Sequence, residues 1–175
     1  MKTSTIKVSL LLAGMMIPQI AAAQQTNKFL PTTKTTTMEN NKAIVKKLYE
    51  TVLNNQQFEL LLDFVADTFE GPGGTGVEGF RNPFRSLYNG FPDLQWTLVT
   101  LVSEGDKVVV RWKWTGTHKG VFRNVPATGK VITGNGVSIY ELKNGKIVTV
   151  DAHVDRFGIL QSLGALPADI APVKP

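Results

Sequence analysis

The dipeptide Asn144-Gly145 constrains this chain more than any other feature. It separates two runs rich in β-branched and aromatic residues, Val131 to Leu142 and Ile147 to Asp155. A type I′ turn needs positive φ at both central residues, and Asn-Gly adopts it at little cost, so the runs are expected to pair as an antiparallel hairpin. A plain two-residue turn also sets the register. Lys143 faces Lys146, Leu142 faces Ile147, Tyr140 faces Thr149, Ser138 faces Asp151, Gly136 faces His153 and Gly134 faces Asp155. Strand side chains alternate, so these pairs share one face, while Val137, Ile139, Val148, Val150, Ala152 and Val154 take the other. On the first face two glycines and a serine stand against Asp151, His153 and Asp155. Two glycines beside large side chains leave space that close packing would otherwise fill, so this face is expected to line a pocket.

The remainder of the chain suits one domain. Lys2 and Lys7 precede an apolar run, Val8 to Ile20, and Ala21-Ala22-Ala23 fits a small-residue cleavage site. Residues 1–23 therefore read as a secretory signal peptide, too short for a stable membrane span, and the mature protein as secreted or periplasmic. There is no cysteine, so an exported domain must depend on its core rather than on disulfides. The threonine-rich stretch 24–37 reads as a disordered tether, residues 38–167 as the folded domain and 168–175 as a flexible tail.

Within the domain, Thr36-x-x-Glu39 is a capping box that predicts a helix from about Met38 through Asn54, with Ile44, Val45, Leu48, Tyr49 and Val52 at helical spacing. A second helix is expected from about Gln57 to Ala66, with a short strand at Asp67–Glu70. Gly71 to Gly76 matches G-x-G-x-x-G, but the motif needs a buried parallel strand and a βαβ unit, so it reads as a loop. Thr75-x-x-Glu78 should cap a third helix that Pro83 kinks and Asn89-Gly90 ends. From Phe91 onward the pattern is β, with Val110, Trp112, Trp114, Gly116 and His118 on one strand face. Helices followed by an antiparallel meander give an α+β fold, a curved sheet covered on one face by three N-terminal helices.

Lysine and arginine number 19 against 14 acids, but they are scattered and no basic stripe is interleaved with aromatics, so nucleic acid is not expected as a partner. Asp151, His153 and Asp155 could be read as metal ligands. At about 3.3 Å per residue the outer two Cα atoms lie about 13 Å apart, too far to converge, so no metal is expected. A carboxylate beside an imidazole suits a general base instead. The candidate catalytic residues are Asp155, His153 and His118. The candidate ligand-binding residues are Trp112, Trp114, Asp151, Ser138 and Glu70. An enzyme performing proton transfer, a passive ligand-binding module and an assembly protein all remain open on these residues.

Glu78-Gly-Phe80, Phe91-Pro-Asp-Leu94, Gly105-Asp-Lys-Val108, Arg111-Trp112, Gly116 to Phe122, Pro126 to Lys130, Asn144 to Val148 and Asp155-x-x-Gly158-Ile-Leu-Gln-Ser-Leu-Gly164 closely resemble the SnoaL-like polyketide cyclases, or ester cyclases, of the nuclear transport factor 2-like superfamily. The resemblance covers about residues 39–167. It implies a cone-shaped α+β barrel, often dimeric through the back of its sheet, with a pocket for a small apolar carbonyl compound in the concave face. It also implies cofactor-free acid–base chemistry, an intramolecular aldol condensation run by a pocket Asp and His. Asp155 matches a family Asp near the pocket mouth. Where the family sometimes carries an acid directly after a last-strand Trp, this chain has Ala152. Where the family often has a His after the second helix, Glu70 is the ionisable side chain.

Overall fold

A computed structural model describes residues 33–166. The segment read as a signal peptide, most of the tether and the tail lie outside the described residues. The first helix, α1 (Thr33–Lys47), begins inside the stretch read as tether, so residues 33–37 are helical rather than disordered. It passes directly into a π-helical turn, Leu48–Leu53. This turn buries Leu48, Tyr49, Val52 and Leu53 together against the core.

The second helix is shorter than expected. A 3₁₀ turn, Phe58–Leu60, leads into α2 (Leu61–Phe64), and the chain is already extended at Val65. Valine and phenylalanine serve a strand as well as a helix, and here strand pairing prevails. β1 (Val65–Gly71) pairs parallel with the last strand and antiparallel with the short β2 (Gly74–Thr75). The glycine motif is this tight β1–β2 turn. An added Cβ on Gly73 would lie 2.3 Å from the Gly79 carbonyl oxygen, so the glycines permit close backbone packing and cradle no phosphate. α3 (Gly76–Gly90) follows with Pro83 inside it. The Thr75 side chain makes no capping hydrogen bond, and Glu78 pairs with Arg81 and Arg85 instead.

β3 (Gln95–Glu104), β4 (Lys107–Thr117), β5 (Val131–Lys143) and β6 (Lys146–Val154) form the expected antiparallel meander. The six strands run in the order β2-β1-β6-β5-β4-β3, and α4 (Arg156–Leu163) closes the described chain with Gly164 as its left-handed cap. This is the expected α+β cone, with the N-terminal helices and the short C-terminal α4 on a curved sheet. Asn54 ties the end of the first helix to β3 by accepting from the Trp96 amide at 2.6 Å and donating to its carbonyl at 3.2 Å. Those bonds fix where the Trp96 indole sits.

The opening hairpin departs from its expected register at one point. Lys143 pairs with Lys146 and Leu142 with Ile147, as the turn dictates. Glu141 then pairs with Thr149, and Val148 stands unpaired in a β-bulge. Beyond the bulge every partner moves by one residue, so each β6 side chain changes face. Tyr140 faces Val150, Ser138 faces Ala152 and Gly136 faces Val154 on the concave side. Ile139 faces Asp151 and Val137 faces His153 on the convex side. The expected pocket triplet, Asp151, His153 and Asp155, is therefore exposed on the outside. The expected aliphatic back strip is split, with Val150, Ala152 and Val154 turned into the cone.

The two glycines have a different use as well. An added Cβ on Gly134 would lie 2.3 Å from Cε2 of Trp114, and one on Gly136 2.6 Å from Cζ2 of Trp112. The space they leave is filled by indole rings rather than left for a ligand.

Candidate functional site

The cone encloses a cavity of about 200 Å³. Its floor is made of buried and half-buried side chains from facing elements. Tyr49 comes from the π turn, Trp96 from β3, Trp112 and Trp114 from β4, Ser138 and Tyr140 from β5, and Phe80 and Phe84 from α3. Val150, Ala152 and Val154 of β6 form one side. The rings interlock edge to face: Trp96 on Trp112 at 5.0 Å between centroids, Tyr49 on Trp96 at 5.6 Å, and Phe84 on Trp96 at 6.1 Å. These geometries are the favourable ones for aromatic quadrupoles and make a rigid apolar wall.

Set in that wall is a cluster of hydroxyls. The Tyr49 and Tyr140 phenols are 2.8 Å apart, and the Trp112 indole N–H donates to the Ser138 hydroxyl at 2.9 Å. Burial drives the Tyr49 phenol well above its ordinary range, and the nearby Tyr140 phenol adds to the rise. Burial pushes Tyr140 up to about 12, tempered by hydrogen bonds from Tyr49 and Ser138. Both phenols are therefore protonated at neutral pH. The Tyr49–Tyr140 bond uses one of their two protons, leaving other hydroxyl rotors able to turn toward an acceptor in the cavity. Tyr88 lies behind Trp96, accepting from its indole N–H at 2.9 Å and donating to the Leu53 carbonyl at 2.5 Å.

Of the expected site residues, Trp112, Trp114 and Ser138 line this cavity, and the others do not. His153 and Asp151 hold each other at 3.1 Å on the convex face with side chains 71% and 70% exposed. Asp155 caps α4, its carboxylate accepting from the Gly158 amide at 2.8 Å. Glu70 points outward from β1 while its neighbour Phe69 lines the cavity. His118 is fully buried but is a brace for the loop between β4 and β5. Its ring stacks on Phe91 and its Nδ1 accepts from the Thr128 amide at 3.3 Å, beside the Thr128 hydroxyl at 3.0 Å. Its accepting nitrogen is thus already engaged. Among the described residues, no carboxylate or imidazole lines the cavity, and no group of three His, Cys, Asp or Glu is placed to hold a metal.

Sequence reasoning missed the tyrosines. Tyr49 and Tyr140 were legible as positions on a helix and a strand, but nothing in either local pattern shows that two hydroxyls 91 residues apart in sequence meet. It also missed Arg123 and Arg156, which lie at the exposed rim of the cavity.

The sequence profile of the SnoaL-like polyketide cyclases matches residues 43–163. Several solved structures share the fold. TsrD from Streptomyces laurentii is 28% identical at a TM-score of 0.65, with 71% of this chain and 97% of that one covered. A SnoaL-like polyketide cyclase from Agrobacterium tumefaciens is 28% identical at 0.62, covering 71% and 98%. A candidate SnoaL-like polyketide cyclase from Jannaschia sp. reaches 0.67 at 22% identity, covering 74% and 95%, and supports the fold alone. Among curated proteins none matches the chain.

Proposed function

Because the chain belongs to the SnoaL-like polyketide cyclase family, we propose that it holds a small apolar carbonyl compound in its cone and polarises the carbonyl oxygen with the floor hydroxyls. The observation that carries this reading is the buried Tyr49–Tyr140–Ser138 cluster in an otherwise aromatic wall. A protonated phenol in a low-dielectric cavity donates a strong hydrogen bond to a carbonyl and stabilises charge that develops there. Proton abstraction requires a base as well. The family's acid after the last-strand Trp corresponds to Ala152, which lines the cavity without an ionisable group. This observation favours a binding pocket over an acid–base catalyst acting through Asp155, His153 or His118.

Benzylacetone, a small aryl ketone, tests the reading. All three tryptophans of the chain line the cavity, so quenching of intrinsic fluorescence reports its occupancy directly. Tyr49→Phe with Tyr140→Phe should weaken the ketone by about 1 kcal/mol, a severalfold loss, and leave butylbenzene, which has no carbonyl, unaffected. Wild-type protein should bind the ketone without accelerating exchange of its α-protons with D₂O. Acceleration abolished by Asp155→Asn or His153→Gln would restore the acid–base reading.

We propose in addition that the protein is exported and forms homodimers across its convex sheet face, where Val137, Ile139 and Val102 are partly or largely exposed. Native mass spectrometry of an extracytoplasmic fraction reads both points. The expected species is a dimer of chains beginning at Gln24; monomers retaining Met1 would contradict both.

A further inference from the structure

We infer that the ligand carries an anionic group, a carboxylate or its equivalent, that is held between Arg123 and Arg156 at the rim while its apolar carbonyl body fills the cone. This deepens the proposed function and rests on it. Three observations point this way.

The first is the sign of the charge around the cavity. Among the described residues, Arg123 and Arg156 are the only ionisable ones lining the cavity besides the two floor tyrosines, so the rim field is cationic with no acid on that lining to offset it. Among the described residues no ion pair joins either guanidinium to a carboxylate, whereas Arg81 and Arg85 on α3 both pair with Glu78. A planar fork of donors left unpaired beside an apolar cavity matches a carboxylate or a similar oxyanion.

The second is the backbone that presents Arg123. Phe122 and Val125 bond to each other at both backbone groups, at 3.1 and 2.9 Å, around a two-residue turn. Arg123 and Asn124 occupy it with φ of 48° and 64°. Asparagine tolerates that region, whereas in arginine the Cβ crowds the following carbonyl oxygen, so the conformation is a strained one. The guanidinium lies over the Phe122 ring at 5.7 Å, and Phe122 itself lines the cavity. The turn is held from below. His118 braces Thr128, Asp93 accepts from the Thr117 amide at 2.7 Å and pairs with Lys119 at 2.9 Å, and Gly90 accepts from two amides of the same loop.

The third is the opposite arm. Arg156 is the first residue of α4, and the Asp155 cap fixes where that helix begins. Lys130, at the root of β5, donates to the Ser162 and Leu163 carbonyls and fastens the far end of the helix. Asp155, expected to be a proton carrier, acts instead as a positioning residue for a rim arginine.

The test uses benzoylpropanoate, which joins an aryl ketone to a carboxylate, and its methyl ester, which keeps the ketone and loses the charge. Binding is read by calorimetry. The acid should bind wild-type protein about tenfold tighter than the ester, with an advantage that shrinks as salt is added. Arg123→Gln and Arg156→Gln should each weaken the acid about fivefold and leave the ester unchanged. If the ester binds but the acid is no tighter, or if either substitution weakens acid and ester alike, the anion inference is overturned while the pocket reading stands. If neither compound binds wild-type protein at millimolar concentration, the pocket reading itself fails.

Discussion

Gly136→Ala is expected to destabilise the protein by about 3 kcal/mol, the upper end of the usual cost of overpacking a core. A Cβ there would lie 2.4 Å from the His153 carbonyl oxygen and 2.6 Å from the Trp112 ring. Neither neighbour can retreat cheaply. The carbonyl belongs to β6, paired to β5, and Trp112 is anchored through its indole nitrogen to Ser138 and packed edge to face on Trp96. Gly134→Ala meets Trp114 in the same way, at 2.3 Å from Cε2. Set against a total stability of about 5–15 kcal/mol for a typical domain, the loss is large enough to read in a urea titration. A neutral Gly136→Ala would mean that the glycines border open space, as the hairpin pattern alone suggests, and that the cavity extends where the indoles are placed.

The second large effect is alkaline. Tyr49, Tyr88 and Tyr140 are the three tyrosines of the chain, and all are buried. Burial pushes Tyr88 and Tyr140 from the ordinary 10.0 up to about 12, and drives Tyr49 upward too. The folded state therefore holds these protons more tightly than the unfolded chain. The sign follows: this contribution is fully present below pH 10 and is lost as the pH rises toward 12. For Tyr88 and Tyr140 a rise of about two pH units corresponds to about 2–3 kcal/mol each, a large share of a typical domain's stability, and Tyr49 adds to it in the same direction. Ultraviolet titration should show no phenolate at pH 10–11 while the fold persists, then ionisation and unfolding together. A phenolate signal with its midpoint near 10 in folded protein would place at least one phenol in water and undo the hydroxyl floor.

Most of the fold was legible because its signals are local. Asn144-Gly145 sets a turn whatever surrounds it, and the Val110-Trp112-Trp114 alternation fixes a buried strand face. The family resemblance added the cone. The site was legible only where it rests on those signals, which is why Trp112, Trp114 and Ser138 were found. The remainder depends on single-residue departures from ideal periods. One unpaired residue, Val148, reverses every β6 side chain beyond it, turning Asp151 and His153 out and Ala152 and Val154 in. No propensity in Ile147-Val148-Thr149 announces the bulge. It reflects how β6 must meet β5 on one side and β1 on the other, where the pairing also shifts between Val65 and Glu70. The π turn is hidden because Leu48, Tyr49, Val52 and Leu53 also fit one face of an ordinary amphipathic helix. Arg123 and Arg156 gave no periodic signal, because a loop turn and a helix start place them.

On this reading the ligand sits in the hydroxyl-floored aromatic cavity inside the cone, and the Asp151–His153 pair stands outside it. Two-dimensional nuclear magnetic resonance during a benzylacetone titration tests this most directly. The indole N–H resonances of Trp96 and Trp112 should move progressively with the ketone, while the His153 ring resonances stay in place. Movement of His153 with the indoles left unchanged would put the ligand on the convex face and contradict the account.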